Sequence, residues 1–153
     1  MIYKVFVDGA TSKNGQDGAK GGWAFSIYNE NGEWLIDGAG KEYNTTNNRM
    51  EMTAIIEGLF QIQPILKKED QVVVYSDSAY CINAVKQCWY KNWQKNGWLN
   101  SKKEEVKNKD LWKLLIPYFE KENYFFEKVK GHNGIVENEK VDKLAKKAIK
   151  DLI

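Results

Sequence analysis

The apolar residues of this chain change their spacing several times, and each change marks an element. Ile2 to Asp8 is a run of β-favouring residues that leads into a Gly-rich loop, Gly9 to Gly22. Gly22 to Tyr28 and Glu33 to Lys41 flank Asn29-Glu-Asn-Gly32, a strong hairpin signal. From about Asn47 the period lengthens. Met52, Ile55, Ile56 and Leu59 fall at i, i+3, i+4 and i+7, which predicts an amphipathic helix, with Pro64 just past its end. Gln71 to Ser76 reads as a short buried strand, and Asp77-Ser78 opens another helix. A third helix is expected near Asn108 to Glu120 and a fifth strand over Tyr124 to Lys130. A last helix starts from about Glu137, with Val141, Leu144, Ala145, Ala148 and Leu152 as its apolar stripe. The order β-β-β-α-β-α…α-β-α predicts an α/β fold, a five-stranded mixed sheet flanked by helices. No internal repeat appears, so residues 1–153 are expected to form one domain around one core.

Composition narrows the class. At 42% hydrophobic and 29% charged residues, the chain has too much apolar mass to be intrinsically disordered. No apolar run approaches the ~20 residues that a membrane span needs. Met1-Ile-Tyr-Lys runs straight into a strand with neither signal nor transit peptide, so a cytoplasmic location and no membrane partner are expected. Cys81 and Cys88, seven residues apart in one expected helical stretch, lie too far apart for a disulfide. No Cys or His cluster points to zinc.

Charge then picks out one segment. The net charge is only +2, yet residues 86–113 hold eight lysines against Glu104, Glu105 and Asp110. Four of the six tryptophans, Trp89, Trp93, Trp98 and Trp112, share that segment. Lysines interleaved with flat rings suit a nucleic-acid strand, because ammonium groups neutralise phosphate and rings pack on sugars or bases. The same pattern equally fits tryptophans buried beneath a solvated lysine face.

Candidate chemistry comes from acids in costly places. Asp8 and Asp77 each follow an apolar strand run, where a carboxylate pays desolvation unless a positive charge balances it. The carboxyl ends of such strands open onto the ligand crevice of α/β sheets. Glu51 and Asp142 border the apolar stripes of the first and last long helices. Four carboxylates meeting in one cleft would be neutralised most simply by divalent metal, and all-oxygen ligands favour Mg²⁺ or Mn²⁺. Two such ions about 4 Å apart activate a water and stabilise a leaving oxygen in phosphodiester hydrolysis. His132, in Lys130-Gly-His-Asn-Gly134, is the sole histidine and a candidate proton carrier.

These segments resemble a known family. Val5-Phe-Val-Asp8-Gly-Ala, Thr46-Asn-Asn-Arg-Met-Glu51, Tyr75-Ser-Asp77-Ser-Ala-Tyr80 and Val129-Lys-Gly-His132 with Asn138-Glu-x-x-Asp142 are similar, in order and spacing, to type 1 ribonuclease H. Trp93-Gln-Lys-Asn-Gly-Trp98 and Asn108-Lys-Asp-Leu-Trp112 resemble the basic handle of its bacterial and cellular forms. The resemblance implies an endonuclease that cuts the RNA strand of RNA–DNA hybrids, leaving a 5′-phosphate and a 3′-hydroxyl. It implies Asp8, Glu51, Asp77 and Asp142 as metal ligands for Mg²⁺, with Mn²⁺ as a substitute, and His132 as a helper in proton movement or product release. It places Asn47 and Asn48 at the RNA strand, where the 2′-hydroxyl distinguishes RNA from DNA. Thr46 and Asn108 match a pocket for a DNA phosphate. Thr11, Asn14, Trp89, Trp93 and Trp112 complete the expected substrate contacts, and the protein is expected to act as a monomer.

The chain departs from the family pattern at three points. Asn44 stands where arginine is frequent, Ala79 replaces a polar residue, and Trp89 comes one place late, as though a residue were inserted. None touches the carboxylates, so retained chemistry with weaker or more salt-sensitive binding is expected. Two other readings share parts of the pattern: a nuclease of integrase or junction-resolvase type, and a hybrid-binding module without catalysis.

Overall fold

Hydrogen bonding joins five strands of the chain into one sheet. The computed structural model describes residues 1–12, 16–129 and 135–150. Strands β1 (Ile2–Ser12), β2 (Lys20–Tyr28) and β3 (Trp34–Tyr43) form an antiparallel meander. β4 (Gln71–Ser76) and β5 (Tyr124–Lys128) add in parallel, giving the order β3-β2-β1-β4-β5. Helix α1 (Asn47–Ile62) links the meander to β4 through a short 3₁₀ turn, Gln63–Ile65. Helices α2 (Ala79–Lys86), α3 (Trp89–Lys95) and α4 (Lys109–Phe119) lie between β4 and β5, and α5 (Val136–Lys150) follows β5.

The sheet is covered on both faces. Val5, Val7, Phe25, Ile27, Val72 and Val74 pack with α1, α2 and α4 around the fully buried Trp112. Phe6, Ala24 and Tyr28 point the other way, onto Val141 and Ala145 of α5. This alternation is the two-residue period of a strand buried on both sides. Lys140 ties α5 to β3 through a 3.0 Å ion pair with Asp37, and its ammonium lies over the rings of Tyr28 and Trp34.

The sequence pattern needs two corrections here. The stretch from Gly9 to Gly22 is not one loop: β1 runs on to Ser12 and β2 begins at Lys20, with Thr11 paired to Gly21 and Ala10 to Gly22. Its glycines permit close approach of other elements. A Cβ on Gly21 would lie 2.2 Å from the Thr45 methyl, and one on Gly22 2.1 Å from the Ala145 carbonyl oxygen. Cys81 and Cys88 do not share a helix either. Gln87 and Cys88 separate α2 from α3, with Cys88 in a left-handed conformation at φ 54°. Both cysteines are free thiols.

Gly9 fixes where α1 sits. A Cβ there would lie 2.5 Å from the Glu51 amide nitrogen and 2.6 Å from the Met50 carbonyl carbon, both rigid backbone atoms. Gly9→Ala is therefore expected to push α1 away from β1, at a cost of about 1–3 kcal/mol for overpacking. A urea midpoint unchanged from wild type would show that α1 has room to spare.

Candidate active site

Strand register brings the first two acids together. Phe6 pairs with Tyr75 in the parallel β1–β4 ladder, so the same register carried two residues on sets Asp8 level with Asp77. Adjacent strands are about 4.8 Å apart. Glu51 arrives on the first turns of α1, whose N-terminus is capped by the Thr46 hydroxyl accepting from the Arg49 amide at 3.2 Å. The close contact at Gly9 then holds the Glu51 side chain beside Asp8. Carboxylate oxygens of Asp8, Glu51 and Asp77 lie within 4.8 Å of one another.

One backbone donor serves two of these acids. The Gly9 amide donates to Asp8 Oδ1 at 2.9 Å and to Glu51 Oε1 at 3.0 Å. Glu51 Oε2 is buried and has no hydrogen-bond partner among the described residues. Burial pushes the Asp8 carboxyl up to about 7, and the charges of Asp77 and Asp142 add to the rise, while hydrogen bonds from Glu51 and Gly9 oppose it. Burial, then the neighbouring charge of Asp8, holds Glu51 well above the usual carboxylate range. Without a cation, the Asp8–Glu51 pair therefore keeps a proton near neutral pH.

Asp142 faces the same cleft but stands apart from the trio. It lines a cavity of about 480 Å³ with Asp8, Glu51, Asp77, Thr11, Asn47, Asn48 and Tyr80. Its Oδ2 is paired with Lys146 Nζ at 3.0 Å, one helical turn along α5. The sequence reading missed Lys146, although i, i+4 spacing from an acid is a legible signal. Thr11 donates its hydroxyl to Asn47 Oδ1 at the cavity wall. His132 and Asn14 lie outside the described residues.

The basic segment forms a second surface. Trp89 and Trp93 are half-buried and line a cleft of about 410 Å³ with Asn92, Lys95, Asn96 and Leu99. Trp93 stacks on Trp98, and Lys109 and Lys113 lie over the Trp98 ring. Trp112 corrects the sequence expectation: it is 0% exposed and cannot offer its face to a substrate. Four non-glycine residues here, Cys88, Trp98, Lys103 and Asn108, have positive φ, so tight local turns shape this surface. Asn44 has φ 54° as well, and its side chain accepts from the Gly18 amide at 3.1 Å. At that departure asparagine closes a turn, and asparagine tolerates this conformation better than arginine would.

Comparison with known proteins decides the family. The RNase H family model matches residues 2–150. The chain belongs to the ribonuclease H family. The Ribonuclease H of Syntrophomonas wolfei subsp. wolfei is 49% identical over 149 residues, covering 97% of this chain and 96% of that protein. That of Caldicellulosiruptor saccharolyticus is 48% identical over 148 residues, with 97% and 96% covered. Among solved structures, LC9-RNase H1, a type 1 RNase H with the type 2 active-site motif, has a TM-score of 0.77 at 25% identity. The match covers 99% of this chain and 74% of that one. LC11-RNase H1, solved in complex with an RNA/DNA hybrid, gives a TM-score of 0.70 at 21% identity and 97% coverage of each chain, a likeness of fold alone. Ribonucleases H are metal-dependent nucleases, so this chain is a phosphodiester hydrolase, and its clustered acids suit the requirement. The unpartnered Glu51 oxygen and an all-carboxylate donor set fit a hard divalent cation.

The raised Asp8 and Glu51 values predict the pH dependence of this ribonuclease H without metal. A carboxyl that binds its proton more tightly folded than unfolded adds stability below the unfolded value of 3.8, and that stability is lost as pH rises through about 7. In EDTA, the metal-free protein should lose on the order of 2 kcal/mol from this source between pH 5.5 and 8. Asp8→Asn should flatten the slope and melt higher than wild type at pH 8. Parallel pH profiles for the two proteins would contradict the clustering.

Proposed function

We propose that Asp8, Glu51, Asp77 and Asp142 hold divalent metal, Mg²⁺ in the cell with Mn²⁺ as a substitute, for cutting the RNA strand of RNA–DNA hybrids. The observation that carries this reading is the convergence of three carboxylates around a buried oxygen with no partner. Bound there, the metal supplies an activated water and charge neutralisation at the scissile phosphodiester. The protein's own part is to keep the acids preorganised. Gly9 orients two of them through one amide, and Lys146 holds Asp142 at the cleft margin.

Asn47 and Asn48, exposed at the start of α1 on the cavity wall, are suited to read the RNA strand through its 2′-hydroxyls. Thr11 and Asn14 extend that contact in this reading. Thr46 and Asn108 take a DNA phosphate, and the lysines and half-buried tryptophans of residues 86–113 track the DNA strand as a handle. The hybrid-bound state of LC11-RNase H1 supports this choice of substrate. His132 moves protons or aids product release. In this reading the protein acts as a monomer in the cytoplasm.

A labelled strand pair offered as RNA–DNA hybrid, RNA duplex and DNA duplex tests the substrate. Cutting confined to the hybrid's RNA strand and stopped by EDTA is expected; cutting of DNA duplex or of four-way junctions would overturn the reading. Asp77→Asn should lower cleavage roughly a hundredfold or more while hybrid binding survives, because repulsion between acids and phosphate falls. Binding lost along with cleavage would contradict that role. His132→Ala should slow turnover about 10²-fold without ending it, and an unaltered rate would remove His132 from the chemistry.

A further inference from the structure

The fourth acid of the cleft, Asp142, stands outside the close trio and carries a counter-ion of its own. Its Oδ2 holds Lys146 Nζ at 3.0 Å. Lys146 is the only cationic side chain among the described residues that line the cavity. The pair follows from sequence position, because an acid at i with a lysine at i+4 is the favoured order along a helix. Helix α5 has little room to slide and undo it. Val141 and Ala145 are fully buried against the sheet, and the Ala145 carbonyl oxygen would lie 2.1 Å from a Cβ on Gly22. Lys140, on the same helix, is tied to Asp37 of β3.

What can move is the lysine. Its side chain is 57% exposed against 22% for Asp142, and a lysine on its flexible four-carbon stem leaves an exposed ion pair at little cost. While it stays, one Asp142 oxygen is occupied and a positive charge sits at the cleft wall. Both facts oppose a divalent cation. Ammonium and metal compete for one carboxylate, and like charges a few ångströms apart repel even in water. The charge of Asp142 also reaches the trio, where it helps to raise the Asp8 carboxyl. Lys146 therefore offsets part of the cleft's own repulsion before any metal binds.

We infer that Lys146 is an internal counter-cation that competes with divalent metal for Asp142 and so sets the metal concentration at which this fourth acid is engaged. It is a positioning residue that acts through Asp142. The inference rests on the metal-dependent nuclease reading of the cleft and adds the group that metal displaces. Its consequence is a cleft that binds metal more weakly than four unpaired carboxylates would.

The test titrates the full chain with Mg²⁺ by calorimetry at fixed pH and ionic strength, without nucleic acid, so that affinity is read apart from cleavage. Lys146→Met keeps the apolar stem and removes the charge, and the residue is exposed enough for the variant to fold. It should bind Mg²⁺ about 3- to 10-fold more tightly than wild type. Lys146→Arg keeps the charge and should stay within about two-fold of wild type. In an Asp142→Asn background, Lys146→Met should change Mg²⁺ affinity less than about two-fold, because the shared partner is gone. The Mg²⁺ concentration for half-maximal cutting of a labelled hybrid should fall in Lys146→Met by the same factor as the affinity gain. Unchanged or weaker Mg²⁺ affinity in Lys146→Met, or an equal gain in the Asp142→Asn background, would overturn the inference. So would a loss of hybrid affinity with metal affinity unaltered, which would make Lys146 a phosphate contact instead. Failure of wild type to cut hybrid at any Mg²⁺ concentration would overturn the functional reading, leaving the affinity comparison standing.

Discussion

Three carboxylates with oxygens within 4.8 Å of one another, two of them sharing one backbone amide donor, form the constraint on which this structure turns. Like charges at that distance oppose folding. The fold imposes the contact by means that have no chemistry of their own. Parallel pairing sets Asp8 level with Asp77, and a missing Cβ at Gly9 lets the α1 backbone close on β1 with Glu51. The core beneath is rigid enough to hold them there: Val5, Val7, Ile55, Leu59 and Val74 are all essentially inaccessible to solvent. A proton relieves that repulsion, and in the function proposed above a divalent cation does so.

The second organising feature is the separation of charge. The acids gather beside the carboxyl end of β4, level with Asp8 within β1, while the lysine excess lies on α3, α4 and the turns between them. A hybrid offers phosphates to both regions, and the basic surface offsets the repulsion that the acidic cleft would exert alone. The two regions are mechanically joined. Arg49 on α1, Asn108, Asp110 and Trp112 at α4 and Tyr80 on α2 share one hydrogen-bond network, which ties α4 to the helices beside the acids.

Much of this was legible in the chain. Period and turn residues located the strands, and β4 falls on Gln71–Ser76 as expected, because a short apolar run between polar turns leaves little choice. Taken singly, each acid fits an ordinary cap or surface position; together they stood out because all four border one core and fall within motifs that resemble one family. The misjudged parts share a physical cause. Glycines mark both turns and close approaches, and only the packing of Thr45, Met50 and Ala145 against Gly21 and Gly22 tells them apart. Trp112 resembles the half-buried tryptophans before it in sequence; its burial depends on α4 packing it against Tyr80 of α2 and Trp93 of α3. The hydrogen-bond network of Arg49, Asn108 and Tyr80 is set by which atoms can only donate, which is invisible until the side chains meet.

The central claim, that a protonated and frustrated carboxylate pair waits for metal, is tested most directly by calorimetric titration of the protein with Mg²⁺ at pH 6.5 in buffers of different ionisation enthalpy. Metal binding should expel the proton that Asp8 and Glu51 share, releasing on the order of half to one proton per site filled. The release should diminish as pH rises past about 7, where the Asp8 carboxyl gives up its proton without metal. Binding with no proton release at pH 6.5 would contradict the account, since the acids would then be ionised before the metal arrives and their close contact would have another cause.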